Sequence, residues 1–319
     1  MNVLVLSDND PLAEQIILCL KKRLVRVTIT GLEVGSRLRS PFYCDRFVKI
    51  NPIGNSCWSD TLLNSIEQTC ERYWIDVIVP AGTGATIALA GIASRIKGAR
   101  TIPLPDCDTF NKLNDKMEFA AFMSSQGLPH PRTWPTPSVA ELEQCPLVPP
   151  VIVKPATGEG NQGIELALDS AKFEDLKSRL RNRFSRPLIV QEYIPGSDID
   201  LSLVAIDGNV TAWTIQERIA EEEVRFLSNE KVLELGTEII KRTRYNGVAH
   251  IDMRVNECNG SITVIEFNPR FWFTVAASEA AGVNFPYIAC SLAANKTMPE
   301  VTYKEGVAWF MNGWRFKSD

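Results

Sequence analysis

Two runs of residues organise this chain, Gly247-Val-Ala-His-Ile-Asp-Met-Arg254 and Ile262-Thr-Val-Ile-Glu-Phe-Asn-Pro-Arg-Phe271. Both carry apolar and β-prone residues at alternating positions, which is typical of half-buried strands. The segment Asn256-Glu-Cys-Asn-Gly-Ser261 between them is rich in turn-forming residues, so the two strands are expected to pair as an antiparallel hairpin. Positions two apart share one face of a strand, and Glu266 and Asn268 should therefore point the same way.

Oxygen donors on this hairpin predict a site for a divalent metal ion. Asp252 can face the side that carries Glu266 and Asn268. Two carboxylates and an amide oxygen are ligands that suit Mg²⁺ and leave room for water and phosphate oxygens. Arg270 shares this face and could hold an anion beside the metal. The alternative is that these side chains are only the solvent face of an amphipathic strand.

Length and composition limit the classes of protein to which this chain can belong. The 319 residues are enough for two or three domains, and 45% hydrophobic with 23% charged residues is ordinary for a globular protein. A net charge of −4 disfavours nucleic acid as a partner. Eight cysteines without a CxxC pair favour reduced thiols, no apolar run is long enough to cross a membrane, and the N-terminus has no signal-peptide pattern. We therefore expect a cytoplasmic protein with neither membrane nor nucleic acid as a partner.

Residues 1–105 alternate apolar strands with helical stretches. This alternation predicts a parallel, doubly wound sheet, with strands at 2–7, 25–30, 46–50, 76–80 and 101–104. The first turn has no GxGxxG, which argues against a nicotinamide-linked dehydrogenase. The turn Ala81-Gly-Thr-Gly84 either approaches a ligand at the carboxyl ends of the strands or simply connects two elements.

A lysine and a glycine loop follow in the middle of the chain. Val151-Ile-Val-Lys154 reads as a strand that ends on lysine, and Gly158, Gly160 and Gly163 come directly after it. These glycines spell GxGxxG, but Ile164-Glu-Leu-Ala-Leu168 continues as a strand and a helix begins only near Ser170. A strand–loop–strand arrangement can fold over phosphates, with Lys154 neutralising their charge. A plain hairpin with a flexible tip is the alternative.

Two more segments complete the candidate site. Lys112 and Lys116 lie four apart on one face near a helix start, and the default interpretation of such a pair is a solvated surface. The apolar strand that runs into Gln191-Glu-Tyr-Ile194 could contact an adenine edge through its backbone and Glu192, with Asp198 or Asp200 binding ribose hydroxyls. A solvated edge strand would explain Glu192 equally well.

The ordered set of these segments resembles the ATP-grasp superfamily. The similarity covers about residues 105–290, and Glu266-Phe-Asn-Pro-Arg-Phe271 looks most like the branch of the carbamoyl phosphate synthetase large subunit. The resemblance implies an α/β fold, with α+β character in its C-terminal part. It divides the chain into an N-terminal Rossmann-like domain (1–105), an ATP-grasp small lobe (106–190) and an ATP-grasp large lobe (191–319).

The same resemblance implies a role for each site residue. The phosphates of ATP would contact Lys116, Lys154, Gly158, Gly160 and Gly163. Adenine would meet Glu192 and Ile194, and ribose would bind Asp198. Two Mg²⁺, or Mn²⁺, would be held by Asp252, Glu266 and Asn268, with Arg270 steadying the transferred phosphoryl group or the acyl phosphate.

The function that follows is an ATP-dependent carboxylate–amine ligase that forms an acyl phosphate and releases ADP and phosphate. Its expected partners are a small, amino-acid-like carboxylate and a nucleophilic co-substrate, and the sequence leaves the oligomeric state open. Arg218, Arg225 and Arg270 could line the acceptor pocket, although Arg218 and Arg225 also suit a solvated loop. A nucleotide-binding sensor or scaffold without ligation is the alternative function.

Overall fold

A computed structural model describes residues 1–31, 38–39, 42–49, 60–158, 160, 162–220, 223–310 and 316–317. Cys57 and Asn161 lie outside these ranges. The described chain divides into two compact units. The first unit comprises residues 1–110, 201–250 and 268–319, and the second comprises residues 111–200 and 251–267. The division into three domains predicted from the sequence remains a prediction.

The first unit begins with a parallel sheet. Its strands are β1 (Asn2–Ser7), β2 (Arg26–Gly31), β3 (Arg46–Lys49), β4 (Val77–Ala81) and β5 (Arg100–Thr101), in the order β3-β2-β1-β4-β5. All neighbouring pairs are parallel, as the alternation of strands and helices predicts. The order reverses direction between β1 and β4, and ligands commonly bind at the carboxyl ends of strands at such a point.

Helices cover both faces of this sheet, namely α1 (Asp10–Lys21), α2 (Asp60–Tyr73) and α3 (Thr83–Ile92), followed by a short 3₁₀ helix (Ala93–Arg95). Side chains of β1 separate into two sets because alternate residues face opposite sides. Val3 and Val5 join the core under α1, and Leu4 and Leu6 join the core under α2 and α3. The strands are therefore buried on both faces, as parallel sheets require.

The second unit contains an antiparallel sheet of four strands. These are β6 (Thr133–Thr136), β7 (Val151–Pro155), β8 (Glu165–Ala167) and β9 (Leu188–Glu192), in the order β6-β9-β7-β8. The helices preceding and covering it are α4 (Cys107–Asn114), α5 (Lys116–Ser125), α6 (Val139–Glu143) and α7 (Ser170–Arg181). Val151, Val153 and Ala167 pack with Phe173 and Leu176 of α7, so one face of the sheet forms the core.

The remaining strands form a seven-stranded sheet in the order β14-β13-β10-β11-β12-β15-β16. Their bounds are β10 (Gly196–Ile206), β11 (Asn209–Ala220), β12 (Glu223–Leu227), β13 (Gly247–Asn256), β14 (Ile262–Asn268), β15 (Ala308–Phe310) and β16 (Phe316–Lys317). The last helices are α8 (Glu230–Arg242), α9 (Val275–Ala280) and α10 (Phe285–Ala293). The two organising runs of the sequence are β13 and β14, which are neighbours in this sheet.

One sequence-based prediction about this sheet is wrong. The sequence suggests a solvated loop around Arg218 and Arg225, but both residues pair within the antiparallel hairpin β11–β12. Val224 and Phe226 explain the difference, since both side chains are buried while Arg225 between them is exposed. Within the described ranges, no helix is both long enough and apolar enough to cross a membrane.

Candidate functional site

Lys154 lies at the centre of the charged groups in the second unit. It is near the end of β7, and only 3% of it is exposed. Burial lowers the pKa of its ammonium group, the nearby Lys116 lowers it further, and the carboxylates of Glu266 and Asp252 oppose these effects. Two lysines and two carboxylates are therefore close enough to influence one another electrostatically.

Lys116, at the start of α5, contacts both the glycine loop and β14 through its side chain. The carboxylate of Asp115 caps α5 by accepting hydrogen bonds from two backbone N–H groups, which places Lys116 at the first helical position. The Lys116 ammonium is 3.0 Å from Oε1 of Glu266 and 3.5 Å from the carbonyl oxygen of Gly158. Only 8% of the Lys116 side chain and 20% of the Glu266 side chain are exposed. Lys116 is thus a buried ion-pair partner rather than a solvated surface lysine.

Lys112, the other member of that lysine pair, has a different environment. Its ammonium lies 4.5 Å from the ring centroid of Phe122. The two lysines therefore do not act on the same group.

The glycine loop, residues 156–163, joins β7 to β8 and has the strand–loop–strand arrangement predicted from the sequence. Gly158, Gly160 and Gly163 have φ values of 142°, 66° and 76°, a region that side chains with a Cβ rarely adopt. A Cβ at Gly158 or Gly160 would meet no atom within 4 Å, whereas one at Gly163 would lie 3.2 Å from Pro155. Backbone conformation therefore explains all three glycines, and close packing contributes at Gly163.

A face of the small sheet next to this loop carries apolar side chains that sequence reasoning did not assign to the site. Ile152 pairs with Leu166 across β7 and β8, and Ile152 shares its face with Lys154 two residues later. Leu166 is 45% exposed and Ile164, just before β8, is 40% exposed. The alternation in Ile164-Glu-Leu-Ala-Leu168 was the available signal, because it leaves an apolar row on the side opposite the core.

The carboxylates of Asp200 and Asp252, in β10 and β13, each offer an oxygen, and these two atoms lie within 4.8 Å of each other. Asp200 is buried, and the sequence suggested it only for ribose. The His250 ring nitrogen Nδ1 is 2.9 Å from Oγ of Ser202, and the ring stacks on Trp272. Carboxylate oxygens are the donors that Mg²⁺ and Mn²⁺ prefer, so Asp200 and Asp252 offer ligands that fit such an ion.

Asn268 and Arg270 contact each other in the first unit. Arg270 is 5% exposed, and its Nη2 donates a hydrogen bond of 3.0 Å to Oδ1 of Asn268. Its Nε donates a 2.8 Å bond to Oγ1 of Thr83, the first residue of α3, and its Nη1 donates to the carbonyl of Phe271. These bonds fix the guanidinium at the N-terminus of α3, at the carboxyl edge of the parallel sheet.

The residues predicted to contact adenine and ribose carry ion pairs. Oε2 of Glu192 accepts hydrogen bonds from the Nε and the backbone N–H of Arg132, at 3.1 and 3.3 Å. Asp198 is 3.0 Å from Nη1 of Arg254, whose guanidinium lies over the ring of Tyr193. Ile194 is half-buried next to them.

The arginines proposed for the acceptor pocket do not share one environment. Arg225 donates a 2.8 Å hydrogen bond to Glu217 across β11 and β12 and has a 51% exposed side chain. Arg218 is exposed on β11. Both lie on the exposed part of a hairpin, as the solvated alternative expects, whereas Arg270 is buried.

Comparisons with known proteins agree with this geometry. Residues 184–311 match a family described as ATP-grasp in the biosynthetic pathway with Ter operon. The carbamoyl phosphate synthase large chain of Corynebacterium glutamicum is 25% identical over a stretch that covers 66% of this chain and 21% of that protein. The chain thus spans about a fifth of the length of this curated relative.

Solved structures are similar over nearly the whole chain. The L-amino acid ligase of Bacillus licheniformis superimposes with a TM-score of 0.73 at 18% identity, covering 96% of this chain and 78% of that one. The N5-carboxyaminoimidazole synthetase of Staphylococcus aureus, complexed with ADP, gives a TM-score of 0.73 at 13% identity, covering 96% and 81%. These findings show that the chain shares the fold of these ligases and synthetases, and that its residues 184–311 are similar to an ATP-grasp family.

Proposed function

We propose that this protein is an ATP-dependent carboxylate ligase that forms an acyl phosphate and releases ADP and phosphate. One observation carries the proposal: two buried lysines, Lys116 and Lys154, lie beside a glycine loop, with the carboxylate of Glu266 in contact with Lys116 and close enough to influence the pKa of Lys154. Two buried ammonium groups cost stability unless anions compensate them, and the phosphates of a nucleotide are anions that suit this position.

In the nucleotide site, Lys116 and Lys154 bind the phosphates and Gly158, Gly160 and Gly163 cover them. The apolar row of Ile152 and Leu166 lies on the Lys154 face of the sheet and offers a purine an apolar wall. Glu192 and Ile194 contact adenine and Asp198 binds ribose. Since Glu192 and Asp198 are paired with arginines, nucleotide binding involves these pairs as well.

In the metal site, Asp252, Glu266 and Asn268 would hold Mg²⁺ or Mn²⁺, and Asp200 would add a further carboxylate oxygen near Asp252. The metal, when bound, neutralises charge on the phosphates during phosphoryl transfer. The ion pair with Lys116 and the hydrogen bond from Arg270 orient the side chains of Glu266 and Asn268.

The chemistry proceeds in two displacements. A carboxylate oxygen of the substrate attacks the γ-phosphorus of ATP, the bond to the β–γ bridging oxygen breaks, and ADP leaves as an acyl phosphate forms. An amine then attacks the acyl carbon, phosphate leaves, and the amine loses a proton. Arg270 stabilises negative charge on the transferred group, and closure of the glycine loop excludes water that would hydrolyse the acyl phosphate.

The substrate class we infer is an amino acid or a similar small acid. Arg270 presents a buried cation at the N-terminus of α3, at the carboxyl edge of the parallel sheet, where such sheets commonly bind ligands. A similarly folded protein is an L-amino acid ligase, which agrees with this class.

The proposal is tested by measuring ADP release in a coupled assay with Mg²⁺, ATP and a panel of amino acids and small acids. We expect release to depend on an acid, and hydroxylamine to trap the acyl phosphate as a hydroxamate. Glu266→Gln should abolish this release and leave the protein folded, whereas Glu174→Gln, at an exposed carboxylate in the same unit, should not. Nucleotide binding without acid-dependent release by any member of the panel would favour the sensor function, and unchanged turnover in Glu266→Gln would remove the metal assignment.

A further inference from the structure

The amino-terminal edge of the parallel sheet carries large apolar side chains that the proposed ligase does not use. Leu24 is 93% exposed just before β2, Trp74 is 78% exposed just before β4, and Phe42 is 70% exposed in the segment that leads into β3. Parallel strands begin on the same edge of a sheet, so Leu24 and Trp74, which lie two and three residues before their strands, are on this edge, and Phe42 lies four residues before β3 on the approach to it. With the strand order β3-β2-β1-β4 and about 4.8 Å between strands, they span about 15 Å.

A contact between distant parts of this edge shows that it is one continuous surface. The guanidinium of Arg46, at the start of β3, lies 5.2 Å from the ring centroid of Tyr73, which precedes Trp74. We call the surface formed by Leu24, Phe42, Trp74 and the charged residues around them the amino edge.

Two of these residues also adopt an unfavourable backbone conformation. Leu24 and Trp74 have φ values of 54° and 50°, in the left-handed region. Trp74 directly follows the end of α2, and Leu24 lies three residues after the end of α1; glycine or asparagine is usual at left-handed positions that follow a helix. Leu and Trp there cost backbone energy and expose apolar surface to water. Within the described chain neither side chain is buried, so folding does not explain them.

The charge of the amino edge is positive although the whole chain has a net charge of −4. Five arginines lie on or next to it: Arg23, Arg26, Arg46, Arg72 and Arg100. The carboxylate of Asp45 accepts hydrogen bonds from Lys21 and from the backbone of Val27, and that of Asp76 accepts one from the backbone of Asn2. Glu71 is a further, exposed carboxylate beside Arg72. Arginines outnumber carboxylates, so an anionic partner is favoured, and a second copy of this edge would place arginines against arginines.

We propose that the amino edge binds the surface of an anionic lipid bilayer. Leu24, Phe42 and Trp74 come from three separate connections and each protrudes singly, which suits insertion among lipid chains better than a pocketed protein surface. Trp is favoured at the boundary between lipid chains and headgroups, and the surrounding arginines attract anionic headgroups. This contact is peripheral and needs no spanning helix. The proposal differs from the sequence-based expectation that a membrane is not a partner.

The test is co-sedimentation of the full chain with sucrose-loaded vesicles, either of phosphatidylcholine alone or with 30% phosphatidylglycerol. We expect binding to the anionic vesicles that falls as salt is raised. The double variant Leu24→Asn/Trp74→Asn should lower the partition coefficient about 10-fold or more, because burial of such side chains is lost. Asparagine tolerates the left-handed conformation, so this variant should remain folded. Val148→Asn is the matched control, since Val148 is 74% exposed in the second unit.

Each outcome decides the proposal. Loss of binding in the double variant, retention in Val148→Asn and a weaker salt dependence in Arg26→Glu/Arg72→Glu would support it. Absence of wild-type binding to anionic vesicles would overturn it, as would equal binding by wild type and double variant. If light scattering showed a wild-type dimer that the double variant dissociates, the partner would be a second copy and the lipid proposal would be wrong.

Discussion

The ion pair between Lys116 and Glu266 yields a prediction that separates stability from catalysis. At 3.0 Å, two unit charges attract by about 5 kcal/mol with the effective dielectric constant of about 20 that suits protein sites. Desolvation of both groups offsets part of this attraction, and coupling energies measured for contacting residues are about 0.5–3 kcal/mol. Because the two side chains are 8% and 20% exposed, we expect a coupling energy of about 2 kcal/mol.

The perturbation is a double-mutant cycle of Lys116→Met, Glu266→Gln and the double variant. Glu266→Gln should destabilise the protein more than the double variant, because it leaves Lys116 and Lys154 with one carboxylate fewer. The free energy of unfolding would be measured by urea denaturation without nucleotide, and ADP release would be measured in parallel. The double variant should recover stability and no activity.

A coupling energy below about 0.5 kcal/mol would refute this reasoning, since it would mean that water screens the pair. Recovery of ADP release in the double variant would contradict the proposed roles of both residues. Glu238→Gln is a suitable control, because its partner Arg242 is one helical turn away on α8 and both side chains are more than a third exposed.

Four further predictions concern a buried arginine, a glycine and two cysteines. Arg270→Lys should lower kcat/KM for acid-dependent ADP release about 10²-fold, because lysine cannot make the hydrogen bonds to Thr83 and Asn268 that fix the guanidinium. Steady-state kinetics would measure this, and an unchanged kcat/KM would refute the proposed role of Arg270. Gly196→Ala should lower the free energy of unfolding by about 3 kcal/mol or more, since its Cβ would lie 1.9 Å from the carbonyl oxygen of Val255. Gly260→Ala, whose Cβ would meet no atom within 4 Å, should lower it by about 1 kcal/mol. Equal losses for the two variants in urea denaturation would contradict the close approach of Val255 to Gly196. The exposed Cys258 should be the first of the described thiols to react with a disulfide reagent at pH 8, and burial raises the pKa of Cys70 to about 12, so Cys70 should react only on unfolding. Because Cys70 keeps its proton in the fold above pH 9 while the unfolded chain loses it, its contribution to stability should be lost as the pH rises from about 9 to 12, and Cys70→Ser should flatten that part of a pH titration of stability.

Local patterns in the sequence were sufficient to predict much of the fold. The alternation of apolar strands with helices predicts the parallel sheet because both features arise from the nearest neighbours in the chain. The strand after Gly163 likewise predicts the strand–loop–strand arrangement rather than a dinucleotide-binding turn. The hairpin β11–β12 was not predicted because the segment after residue 215 is mostly charged. Val224 and Phe226, which are apolar and buried, are too few to show a strand pattern.

The site is less accessible to sequence reasoning because its contacts join distant residues. Lys116 and Glu266 are 150 positions apart, and no local pattern shows that they meet. The same holds for Arg132, which pairs with Glu192, and for Asp200, whose proximity to Asp252 depends on the packing of β10 beside β13. Sequence motifs therefore predicted which strands carry the site residues. The tertiary structure was needed to determine which side chain each of them contacts.

The buried lysines connect these observations to function through their energetic cost. Burial lowers the pKa of Lys154, which means that holding its charge inside the fold costs free energy. An apolar side chain of similar length could occupy the same position on β7 without that cost, and Glu266 is the carboxylate in direct contact with Lys116. A buried charged side chain departs from the usual preference for apolar residues in a protein core. Such departures are expected where a protein binds or transforms a ligand. The charge of these lysines is therefore best explained by an anion that comes from outside the chain, and a nucleotide phosphate beside the glycine loop satisfies that requirement.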